Sequence, residues 1–176
     1  MTEFSFPLSI HGAWMLEDGI MDYVETTMVM HEQGQEDDGY CAMRTATAVT
    51  EAKKLLVWAK QIDEEYLEGM IDSLHELISN EVRPAKSSSL KACSLPKGNA
   101  TEFSFPLSIH GAWMLEKGIA IYAKWTTEMY ECSAEDAHYC SMRTDTALTE
   151  ARKLLAWAKQ IDEEYLEGII ESFREL

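Results

Sequence analysis

An internal duplication constrains this chain more than any other feature. Thr2 to Leu77 recurs as Thr101 to Leu176 at a constant offset of 99 without a gap, and 53 of the 76 aligned positions are identical. Two copies of a unit this small have little core each, so each is expected to need the other. The arrangement is that of a homodimer joined into one polypeptide, with an approximate twofold axis between the halves. The expected organisation is a first repeat at 1–77, a linker at 78–100 and a second repeat at 101–176, packed as one intramolecular pseudo-dimer in a monomeric chain.

The linker reads ISNEVRPAKSSSLKACSLPKGNA, where two prolines, a serine run and Gly98-Asn99 interrupt any regular pattern. A flexible segment of roughly 23 residues spans about 27 Å on average, enough to hold both copies at high effective concentration.

Within a repeat, Ala48, Ala52, Leu55, Ala59, Ile62 and Tyr66 fall at steps of four and three, and few helix breakers occur from Thr45 to about Ser79. That spacing predicts one long helix with a buried face and a weak point at Gly69. Ala13 to about Glu32 predicts a preceding helix, with Gly34 to Arg44 as the turn between them. The opening EFSFPLSI alternates apolar residues around Pro7, as an extended arm or edge strand does. The expected fold is mainly α: tandem helical hairpins in a pseudo-twofold four-helix bundle, each with a short N-terminal arm. The alternative is an α+β unit in which the arm continues into a second strand through Trp14 and strands pair across the axis.

Net charge is −16, and it is unevenly spread. The first copy has sixteen acids against four bases, the linker one against four, and the second copy fourteen against seven. Such a surface repels phosphate backbones and anionic membranes, so direct nucleic-acid or membrane binding is not expected, whereas a basic protein partner is. No apolar run reaches 18 residues and no basic leader precedes an apolar core, so a soluble cytoplasmic protein is expected.

Two patterns nominate functional residues. Glu65, Glu68, Asp72 and Glu76 recur at three, four and four, and Glu164, Glu167, Glu171 and Glu175 repeat them. Each set predicts a carboxylate ridge roughly 16 Å long, opposite the apolar face, able to occupy a basic cleft as phosphates would. Second, Asp63 and Glu17, with Asp162 and Glu116, project into apolar arcs, where a carboxylate needs a partner or a proton. With His11, His110, Arg44 and Arg143 they form a candidate ligand cluster near the axis, against the more ordinary reading of a buried polar network that fixes register.

No Gly-rich phosphate loop, paired histidines or activated nucleophile is evident, and no cofactor or metal is expected. Cys132, His138 and Cys140 suggest zinc ligands, but their counterparts are Gln33, Gly39 and Cys41. Glu64-Glu65-Tyr66-Leu67-Glu68 has the EExxE spacing with which all-α nucleoside triphosphate pyrophosphatases hold magnesium, yet no ExxD pair follows on a further helix, and that family is not assigned.

Differences between the copies collect from residue 18 to 49: Asp18 and Glu25 become Lys117 and Lys124, Thr26 becomes Trp125, and Val29 becomes Glu128. If these positions meet across the axis, Asp18 and Glu25 face the two lysines and favour pairing within one chain. The preferred functional reading is a non-enzymatic acidic interaction module, acting as an inhibitor in the basic cleft of a nucleic-acid-binding protein. A small-molecule or metal-binding protein with a site at the pseudo-twofold interface, enzymatic or not, is the second reading, and a structural subunit the third.

Overall fold

A computed structural model describes residues 3–62, 67–80, 102–131, 137–161 and 167–172. The chain runs β1 (Glu3–Ser9), α1 (Ile10–Glu32), α2 (Asp38–Ile62), α3 (Glu68–Asn80), β2 (Glu102–Ser108), α4 (Ile109–Glu131), α5 (Ala137–Ile161) and α6 (Glu167–Ser172). The fold is mainly α with one short strand pair. The strands belong to different copies and are antiparallel, with Phe6 opposite Phe105 at the centre of the register. Since Phe6 and Phe105 are equivalent positions, the pseudo-twofold axis passes between them.

Alternation along the arm explains the pairing. Phe6 and Leu8 point inward and are fully buried, as are Phe105 and Leu107, while Ser5 and Pro7 face outward. Ser5 and Ser104 hydroxyls meet at 2.8 Å across the exposed face. Each strand stops at a serine that caps the next helix: Ser9 Oγ accepts from the Gly12 amide and Ser108 Oγ from that of Gly111, both at 3.0 Å. Trp14 is therefore helical, and the extended segment does not continue into a second strand.

The arms are exchanged. Phe4 and Phe6 pack edge-on against Trp157 of the second copy, and Phe103 and Phe105 pack likewise against Trp58 of the first. Each copy's helical core is thereby completed by the other's strand.

Between the copies, α1 packs on α4, with α2 beside α1 and α5 beside α4. The crossing is close enough to need glycine. A Cβ on Gly19 would overlap the Met114 carbonyl oxygen, and one on Gly118 would overlap that of Met15.

One expected boundary is corrected. Gly34 to Arg44 is not all turn: Gly34 turns the chain with φ of 62°, and the Asp37 carboxylate then accepts from the Tyr40 amide at 2.8 Å, so helix resumes at Asp38. The expected continuous helix from Thr45 to about Ser79 is described as α2 to Ile62 and α3 from Glu68, with residues 63–66 of that expectation outside the described residues. Leu67, Met70 and Leu74 are fully buried, and α3 lies against α1 with Gly69 beside the Trp14 ring.

Candidate functional site

The acidic ridge is placed as far as the described residues allow. Glu68, Asp72 and Glu76 are exposed along α3, and Glu167 and Glu171 are exposed on α6, whereas Glu65, Glu164 and Glu175 lie outside the described residues. Among the described residues, Glu68, Asp72 and Glu76 have no ion-pair partner. They span about 12 Å at 1.5 Å per residue.

Of the four apolar-face acids, Glu17 and Glu116 are among the described residues. Glu17 is buried between α1 and α3, where Ser73 hydrogen-bonds it. Burial above all, with the neighbouring Asp18 charge, raises its pKa to about 8 against the lowering effect of Ser73. Asp18 is raised to about 6 by burial, opposed by Arg143 of the second copy. His11 is lowered by burial first, then by the charges of Lys153 and Arg143. The structure thus brings His11, Asp18 and Arg143 into one electrostatic neighbourhood across the copies. Glu116 is half-buried and His110 exposed, while Asp63 and Asp162 lie outside the described residues.

Both arginines sit in equivalent aromatic boxes. Arg44 stacks over the Tyr23 ring at 3.8 Å and donates from Nε to Thr27 Oγ1 at 2.9 Å; Arg143 stacks over Tyr122 at 3.9 Å and donates to Thr126 at 3.1 Å. Burial, more than the opposing pull of Arg143, pushes the Tyr122 phenol up to about 12, and its buried hydroxyl has no hydrogen-bond partner. Arg143 is 4% exposed, so its charge is held by these contacts rather than by water.

The expected cross-axis charge pairs are rearranged. Lys117 reaches Asp22 at 3.9 Å, Lys124 bridges to Glu128 on its own helix at 3.7 Å, and Asp18 is opposed to Arg143. The close crossing at Gly19 and Gly118 sets this register. Among the described residues the cross-copy ion pair is Lys117 with Asp22, partners other than those expected.

Sequence reasoning missed the best-formed polar feature. Glu51 Oε1 accepts from Ser108 Oγ at 2.6 Å and from Lys54 Nζ at 2.7 Å; Glu150 Oε1 accepts from Ser9 Oγ at 2.6 Å and from Lys153 Nζ at 2.7 Å. Both carboxylates are buried, and each clasps the capping serine of the other copy's helix. Their Oε2 atoms have no hydrogen-bond partner and lie where a Cβ on Gly111 or Gly12 would intrude, at 2.8 and 2.7 Å. The signal was present: Glu51 lies between Ala48 and Leu55 on the apolar face of α2, as anomalous there as Glu17 on α1.

Among the described residues no three His, Cys, Asp or Glu side chains form a metal-binding group; Cys140 is a buried free thiol, His138 is exposed and Cys132 lies outside the described residues. Among the described residues no helix is long and apolar enough to cross a membrane.

The buried Glu17 carboxyl gives a testable pH dependence. The folded form holds its proton to about pH 8, whereas an ordinary glutamate releases it near 4.5. Between these values the unfolded state has fewer bound protons, so stability falls as pH rises through that window and levels off above it. Glu17→Gln is expected to flatten this decline and, at pH 8.5, to raise stability by a few kcal/mol relative to the parent chain. Urea midpoints at pH 5 and 8.5 check this; equal declines in both proteins would contradict it.

Comparison with protein-family models, curated proteins and solved structures finds no match for the chain.

Proposed function

We propose that the chain is an acidic protein-binding module whose partner presents a basic cleft, of the kind nucleic-acid-binding proteins use for phosphates. The row Glu68, Asp72 and Glu76 carries this reading: three exposed carboxylates on one face of α3, unneutralised by any described cation. Carboxylates at this spacing reproduce the field of a phosphate backbone without its chemistry, and the net charge of −16 extends that field over the surface. Glu51 and Glu150, held by serines of the other copy, and Arg44 and Arg143, held on tyrosine rings, serve the fold on this reading.

The test is displacement. A fluorescent 20-base-pair duplex bound to a basic, sequence-nonspecific architectural protein is expected to be released by the chain. Glu68→Lys, Asp72→Lys and Glu76→Lys together should raise the concentration required at least tenfold, a loss of about 1.4 kcal/mol. Equal potency of the reversed chain would remove the reading.

A second reading, small-molecule binding at the copy interface, is favoured by one observation, the buried and unpartnered Tyr122 hydroxyl beside Asp18 and Arg143.

A further inference from the structure

The two copies share a fold but not a surface. On α1, Glu25, Met28, Val29 and Glu32 are all exposed and recur at i, i+3, i+4 and i+7, so they form one stripe over two helical turns, about 10 Å long. Met28 and Val29 are 37% and 42% exposed. Tyr23 and Thr27 turn toward Arg44 on α2 and Asp22 toward Lys117 on α4, so the stripe lies outside both helix contacts. The same positions on α4 are Lys124, Thr127, Glu128 and Glu131, with Lys124 bridged to Glu128. The second copy lacks the apolar pair, and a lysine replaces the first acid of the stripe while Glu131 keeps the last.

Charge sharpens the contrast. From Asp18 to Met43 the first copy has seven acids and no lysine or arginine, whereas Lys117 to Met142 has four acids and two lysines. Two adjacent apolar side chains, with a carboxylate about one turn to either side, complement a helix that presents an apolar face with flanking lysines or arginines. Methionine supplies an adaptable contact within such a stripe. We propose that the α1 stripe Glu25–Met28–Val29–Glu32 docks a basic amphipathic helix of the partner, and that the second copy offers no equivalent site. This rests on the protein-binding reading and adds to it a helical partner element and a stoichiometry of one.

The pseudo-twofold supplies its own control. The probe is a 14-residue helical Leu/Lys peptide, titrated calorimetrically into the full chain at physiological salt. One peptide per chain is expected. Met28→Thr with Val29→Glu, the residues of the second copy, should weaken binding at least tenfold. Lys124→Glu, Thr127→Met and Glu128→Val should instead create a second site and raise the stoichiometry to two. Two sites in the parent chain, unchanged affinity of the Met28/Val29 variant, or equal binding of a Lys/Ser peptide would overturn the proposal. Reversal of Glu68, Asp72 and Glu76 separates the two ideas. If it abolishes duplex displacement but leaves the single peptide site, both stand; if displacement persists while the peptide site behaves as expected, only the α3 cleft reading falls.

Discussion

Gly19→Val and Gly118→Val, made together, are expected to prevent the chain from folding, and Gly19→Ala alone to destabilise it by about 3 kcal/mol or more. Helix propensity argues the other way, since alanine is favoured over glycine inside a helix by about 1 kcal/mol. Sterics win here because the obstacle is backbone. The added Cβ would overlap the Met114 carbonyl oxygen, which is fixed in α4 and cannot turn aside as a side chain would. Relief requires α1 and α4 to separate, which loosens Met15, Leu16, Ile20, Met114, Leu115 and Ile119, all in one core cluster. Circular dichroism and a urea titration of Gly19→Ala measure the cost; a variant as stable as the parent would show that the helices do not approach this closely.

The second large effect concerns the buried carboxylate clasps. Glu150→Ala removes the acceptor of Ser9 Oγ, leaving a buried hydroxyl without its acceptor, and the nearer of two carboxylates on the largely buried Lys153 ammonium, which keeps Glu102 at 3.2 Å. Deleting one partner of a buried pair costs roughly 3 to 5 kcal/mol, and the Glu102 carboxylate that remains on Lys153 puts the expected loss at the lower end of that range. Glu51→Ala should cost a similar amount through Ser108 and Lys54. Ser9→Ala should cost less, about 1 to 2 kcal/mol, for it removes a neutral donor together with the cap on Gly12. A cycle combining Ser9→Ala with Glu150→Ala should be clearly non-additive, since the two contact each other across the copies.

These contacts mark what was legible in the sequence. The helices and the extended arm followed from periodicity and from alternation around Pro7, which depend on neighbours within a few residues. Arm exchange could not be read, because identical arms and identical helices make packing on the same copy and on the other indistinguishable by pattern. The packing of α3 was legible in part: the apolar stripe from Thr45 onward continues through Leu67, Met70 and Leu74, which are buried, but which helix they meet depends on tertiary contacts that periodicity does not encode. Glu51 was overlooked although it obeys the same rule that singled out Glu17, and Gly19 was overlooked in favour of Gly69. Carboxylates on the apolar face of a helix and glycines repeated in mid-helix both announced interfaces here. The cross-axis pairing of Asp18 and Glu25 with the lysines failed because register depends on where the helices cross, and that is fixed by Gly19 and Gly118, each six residues before Glu25 and Lys124.

That each copy is completed by the other's strand is most directly tested by equilibrium urea unfolding of the full chain and of Glu150→Ala, followed by far-ultraviolet circular dichroism and by tryptophan fluorescence. One coincident transition is expected in each protein, with the whole transition of Glu150→Ala displaced to lower urea. Two transitions in the variant, one of them at the parent's midpoint, would mean that the copies fold as separate units and would contradict the exchanged arrangement.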